Sequence, residues 1–123
     1  MGVTKILPIL VFLVAFGCDD MKIIKIAVDE NSPPTFKISG SPINDLWVYD
    51  DKGRLVWEIH REEQHDPIMA TTYGQLPTGF KETVHPERLV EGQSYVVKAS
   101  VASGHVVPGE LRFMVGKPSR ASQ

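Results

Sequence analysis

Cysteine is nearly absent from this chain: Cys18 is the only one in 123 residues. A single cysteine cannot form an internal disulfide, so any domain here folds on its core alone. An excess of basic charge is also missing. Thirteen Lys and Arg face fifteen Asp and Glu, for a net charge of −2, which argues against nucleic acid as a partner. Long apolar runs are missing as well. The best run, Ile6 to Phe16, has eleven residues and contains Pro8. At about 1.5 Å per residue it covers roughly half of a ~30 Å hydrocarbon core, which argues against a stable transmembrane helix. No internal repeat or low-complexity segment is visible. The glycines of Gly74 to Gly79 lack phosphate-cradle spacing and a following helix, so they are not read as a nucleotide loop.

The apolar run fits another purpose. Lys5 gives a minimal positive region, Ile6 to Phe16 has the length of a secretory h-region, and the small Gly17 precedes Cys18, Asp19 and Asp20. This order resembles the signal peptide and lipobox of bacterial lipoproteins, in which the cysteine is lipidated and becomes the first mature residue. Ala15 and Phe16 stand where such boxes carry Leu and a small residue. The alternative is a plain secretory leader with a chance cysteine. N-myristoylation at Gly2 does not fit, because Ile6 occupies the place of the required Ser or Thr. Lipidation would also remove an unpaired thiol from an exported protein. The resemblance implies several acyl chains, enough for stable anchoring. Aspartate directly after the cysteine resembles the inner-membrane retention signal of enteric bacteria, although the outer membrane stays open as a destination.

These readings divide the chain into a signal peptide (1–17), a lipidated N-terminus with a short tether (18–21), a β-domain (22–116) and a polar tail (117–123). Without the leader, twelve basic and fifteen acidic side chains remain, a net of −3. Nine prolines and ten glycines punctuate the sequence at short intervals, which favours many short strands. Strands are expected over Lys22–Val28, Thr35–Ser39, Ile68–Tyr73, Phe80–Val84, Ser94–Val101 and Glu110–Val115. The strongest local signal is a β-hairpin, Leu46–Tyr49 and Arg54–Ile59 about a loop ending in Gly53. Alternation puts Leu55, Trp57 and Ile59 on one face, with Trp57 in the core, and Arg54, Val56 and Glu58 on the other. His60 to Pro67, HREEQHDP, has no apolar residue and reads as a solvated loop.

The expected fold class is therefore all-β, an antiparallel β-sandwich of about seven strands. The segment Leu89-Val90-Glu91-Gly92-Gln93-Ser94-Tyr95-Val96-Val97-Lys98-Ala99 resembles the E–F corner of fibronectin type III domains, with Glu91 in place of the usual proline, and supports a fibronectin III- or immunoglobulin-like sandwich. That resemblance implies a tyrosine corner, with the Tyr95 hydroxyl bonded to backbone a few residues upstream. From the leader through YGQLPTGF to the final hairpin, the chain also resembles small bacterial lipoproteins of unknown function. This likeness implies a fold and a location but no activity.

Candidate chemistry is sparse. His60, Glu62, Glu63, His65 and Asp66 are suitable metal ligands by type, with His60 and His65 the candidates, yet the spacing matches no familiar motif. His85 and His105 lie in separate turns. Ser103 near His105 has no nucleophile-elbow frame, and the Asp50-Asp51 pair sits in a hairpin turn where solvation explains it. No catalytic residues and no cofactor are assigned. Trp47 and Tyr49 alternate on one strand and are read as a core pair, since tryptophan is seldom exposed without cause. If Leu46 and Val48 instead face inward, the aromatics are displayed and can anchor a partner. Tyr73 raises the same question, and with Phe80 it is expected to pack over the sandwich edge. The expectation is a lipid-anchored, non-catalytic envelope module whose partner is an envelope protein or cell-wall component. The alternative is a periplasmic metal-binding protein using the His60–His65 loop.

Overall fold

A computed structural model describes residues 22–29, 33–101 and 106–116. Cys18 and the expected leader, the expected turn at Ser103–His105 and the expected polar tail over 117–123 lie outside these residues. Among the described residues the fold is all-β. The strands are β1 (Lys22–Ile23), β2 (Lys25–Asp29), β3 (Thr35–Ser39), β4 (Asp45–Asp50), β5 (Leu55–Arg61), β6 (Ala70–Thr72), β7 (Phe80–Val84), β8 (Ser94–Ser100), β9 (Val106–Val107) and β10 (Gly109–Met114). Eight of them form two antiparallel sheets, in the orders β2-β3-β6 and β10-β8-β4-β5-β7, while β1 and β9 make a short parallel pair. The molecule is an antiparallel β-sandwich.

Alternation builds the interior. Phe36 and Ile38 from β3, Leu46 and Val48 from β4, Ile59 from β5 and Tyr95, Val97 and Ala99 from β8 are all buried. Their polar neighbours along each strand face out, as a pleat of period two requires. Three rings tie the sheets together. Tyr95 stacks on Phe113 with centroids 5.9 Å apart, and Phe113 meets Phe36 edge-on at 5.4 Å. The series runs from β8 through β10 to β3, from one sheet to the other.

The Tyr95 ring ends in the expected corner: its hydroxyl accepts the Val90 backbone N–H at 2.9 Å. Glu91 in place of proline leaves this bond intact. The Gly92 N–H and the Val115 carbonyl, 3.0 Å apart, close the same turn onto the residue that follows β10.

The hairpin of β4 and β5 forms as expected, with Gly53 at φ +82°. Asp50 organises the turn rather than standing free in water. Its Oδ1 accepts the N–H groups of Arg54 at 2.8 Å and Lys52 at 2.9 Å. Those two bonds, the Arg54 one foremost, hold the Asp50 pKa below its ordinary value.

Two strand expectations need correction. The expected Lys22–Val28 strand divides at Ile24, whose side chain turns into the core while β1 leaves to pair with β9. Strict alternation along β5 also fails. The register with β4 slips between Val48 and Tyr49, leaving Val56 as an extra residue in a β-bulge. Val56 is therefore buried beside Trp57 instead of facing out with Arg54 and Glu58.

At the side of the sandwich, β10 passes β2 at Gly109. A Cβ there would stand 2.8 Å from Ile24 Cγ2 and 2.9 Å from the Ile24 carbonyl oxygen. Backbone cannot yield as a side-chain tip can, so Gly109→Ala is expected to destabilise the fold by about 1–3 kcal/mol, read as a lowered denaturant midpoint. Tyr95→Phe keeps the ring packing and loses the Val90 bond. Its expected cost is about 1 kcal/mol, and a midpoint equal to wild type would remove the corner from any role in stability.

Candidate functional site

The outer face of the five-stranded sheet carries the aromatic pair. Leu46 and Val48 are wholly buried, so Trp47 and Tyr49 turn outward and stand half-buried. This corrects the reading of Trp47 and Tyr49 as a core pair. The physical reason is position: β4 is the middle strand of five, and its inward side is already filled by Trp57, Ile59 and Val97 from both neighbours.

Charged side chains surround the pair. In register, Trp47 lies between Glu58 on β5 and Lys98 on β8. The Lys98 ammonium sits 5.2 Å from the centre of the Tyr49 ring, a cation–π contact, and reaches Glu110 at 3.9 Å. An open hollow of about 370 Å³ adjoins Tyr49, lined by Val96, Lys98, Glu110, Arg112 and the Asp50-Asp51 turn.

Beyond Trp47 lies His60, in edge contact with the indole at 5.9 Å between centroids. His60 belongs to β5, not to a solvated loop, because that strand continues through Arg61. Register places it opposite Asp45, whose Oδ1 meets the His60 Nδ1 at 2.7 Å. The other ring nitrogen, Nε2, is hydrogen-bonded to Glu58. Burial opposes charge on the imidazole, but the bonds to Asp45 and Glu58 outweigh it and raise the pKa above the ordinary 6.5.

This network has a defined chemical capacity. It holds a proton on an imidazole between two carboxylates and joins β4 to β5. The Ser100 hydroxyl donates to Asp45 Oδ2 at 3.3 Å, on the carboxylate and away from the imidazole, so the ring is not placed to activate it.

The remaining candidates are dispersed. His65 lies in an exposed turn with its ring against Gly79, and both nitrogens of His60 are already engaged. Among the described residues, no three His, Cys, Asp or Glu side chains converge on a metal-sized point. His85 is exposed, its Nδ1 2.9 Å from Glu82 Oε1. Tyr73 is buried, as is Phe80, so Tyr73 is not a displayed binding residue. Its ring meets Trp57 at 5.1 Å and its hydroxyl donates to the Glu87 carbonyl at 2.6 Å. Burial keeps that phenol protonated far above the ordinary range. Trp57 in turn donates its Nε1–H to Glu82 at 2.8 Å.

Asp45 and Glu58, the partners of His60, were not singled out from the sequence. Asp45 faces His60 only because the bulge at Val56 shifts the hairpin register by one residue, so the sequence carries no signal for this pair. Comparison with protein-family models, curated proteins and solved structures finds no match to this chain.

Protonated His60 donates to both carboxylates, whereas neutral His60 can donate to one. A pKa raised by folding means this stabilisation is fully present below the unfolded value near 6.5 and is lost as pH rises through the folded one. The expected result is a stability gap between wild type and His60→Gln that narrows as pH rises from about 5.5 to 8, followed by urea unfolding at each pH. A gap independent of pH would show that the ring is held by packing alone.

Proposed function

We propose that this protein is a lipid-anchored, non-catalytic binding or scaffold module of the bacterial cell envelope, held by acyl chains on Cys18 and facing the periplasm. The observation that carries the binding role is the display of Trp47 and Tyr49. Half-exposed aromatics on the middle strand of a rigid sheet are costly to leave in water and are the side chains that most often anchor a partner. Charged groups ring them: Glu58, Lys98 and Glu110 supply a polar rim around an apolar centre, the arrangement of protein contact surfaces.

The anchor rests on the leader sequence, in which an apolar run ends at the chain's one cysteine. Asp19 favours the inner membrane. The partner is an envelope protein or cell-wall component, and the sandwich presents it with a prearranged surface. The fold alone does not choose among functions, so the proposal stands on these residues.

Acyl labelling tests the anchor: wild type takes the label and Cys18→Ala does not. Crosslinking of the full chain in its native membrane, followed by mild detergent extraction, tests the contact. Trp47→Ala with Tyr49→Ala is expected to abolish the crosslinked species while changing stability by no more than about 1 kcal/mol, since both side chains lie outside the core. Crosslinks that persist unchanged in this variant would place the contact elsewhere.

A further inference from the structure

The two outer faces of the sandwich differ in chemistry. On the three-stranded sheet, Lys25 and Lys37 project outward, since each alternates with inward-facing residues along β2 and β3. Lys25 lies opposite Ser39, and Lys37 lies between Ala27 and Ala70. The two lysines are thus diagonal neighbours on one face. No ion pair among the described residues involves either of them.

Exposed apolar side chains stand at the same end of that sheet. Ile23, preceding the inward Ile24, is 56% exposed. Met69 is 48% exposed and accepts the Ile38 N–H on its carbonyl at 2.7 Å, which fixes it beside the end of β3. Among the described residues, acidic Asp29 shares this outer face but stands at its far end, opposite Thr35, and Glu62, Glu63 and Asp66 belong to the turn after β5. That turn is tied to the other sheet by the Glu62 N–H, bonded to the Gly79 carbonyl at 2.8 Å.

This corner is also where the chain enters the domain. Three residues separate Cys18 from Lys22. Four residue steps, fully extended, span at most about 14 Å, so an acyl chain on Cys18 would hold the β1 end close to the lipid and leave the Asp50–Arg54 hairpin turn at the opposite end.

We propose that the Ile23, Lys25, Lys37 and Met69 corner rests on an anionic lipid surface. The lysines meet headgroup phosphates, and Ile23 and Met69 reach the boundary of the acyl region. The inference rests on the anchoring of Cys18 and adds the orientation of the domain on its membrane. It leaves Trp47 and Tyr49, on the opposite sheet, free for a second contact.

Amine-reactive footprinting of the full acylated chain in vesicles tests it, with modification of each lysine read by mass spectrometry. Lys52, in the hairpin turn at the far end, is the internal control. In phosphatidylcholine vesicles containing phosphatidylglycerol, Lys25 and Lys37 are expected to react at least about fivefold more slowly than in phosphatidylcholine alone, the factor for one lysine at an anionic surface. Lys52 is expected to keep one rate in both. Ile23→Ser with Met69→Ser, two exposed positions, is expected to reduce this protection without lowering thermal stability. Equal rates for Lys25 and Lys37 in the two lipids, with the acyl mass present on Cys18, overturn the orientation and leave the anchor standing. Absence of acyl mass from Cys18 in the same spectra overturns the anchoring reading and the inference that rests on it.

Discussion

Two sheets with no disulfide between them must be held by what they bury. In this sandwich the decisive contact is the run of rings from Tyr95 through Phe113 to Phe36, which carries β8, β10 and β3 in one apolar series. Aromatic pairs at these separations contribute about 0.5–1.5 kcal/mol each beyond the area they bury. That matters in a small domain whose total margin is of order 5–15 kcal/mol. At the other end of β10 from Phe113, Gly109 is the residue that lets β10 pass close to β2. A second pair, Trp57 with Tyr73, serves the other side of the core. There the polar ends of both rings are satisfied, by Glu82 and by the Glu87 carbonyl, so burying them carries no unpaired group.

Where the local pattern and the global packing agree, the sequence was readable. Thr35–Ser39 and Phe80–Val84 are strands over the expected residues, and the hairpin, Trp57 and the Tyr95 corner stand where the pattern puts them. The failures share a cause. Alternation gives two faces but not which face is covered, so Trp47 and Tyr49 could be assigned only once the neighbours of β4 were known. Val56 was misplaced because a bulge adds a residue to one strand without leaving a mark in composition. His60 was misplaced because the charged segment HREEQHDP looks solvated as a block. Its first two residues nonetheless continue β5, where hydrogen-bond partners hold them: the Asp45 carboxylate for His60, and the Asn44 side-chain oxygen for Arg61.

The same reasoning limits the metal reading. A candidate ligand read from sequence is a donor atom with unknown commitments. In the fold, the donors of His60 are committed to Asp45 and Glu58, and His65 is carried past the end of the strand into a turn. Residue types that suit zinc or copper are thus used to fasten two inner strands of a sheet to each other. The fastening is asymmetric in pH, because an imidazole between two carboxylates is most useful when charged.

The sandwich therefore has two unlike exteriors with a common interior, and the unlikeness has a physical origin in strand count. The three-stranded sheet is narrow, and its outer residues are Lys25 and Lys37, Asp29 at the far end, and the small side chains Ala27, Ser39 and Ala70, which leave little apolar area in water. The five-stranded sheet is wide enough for a middle strand to carry two large rings whose flanks are covered by neighbours, Glu58 and Lys98 beside Trp47, and Lys98 over Tyr49. Flanking groups of this kind hold the rings in place and lower the entropy lost when a partner packs on them. A prearranged aromatic surface on one sheet and a basic, lightly apolar corner on the other suit a domain that meets two different neighbours, one along each face.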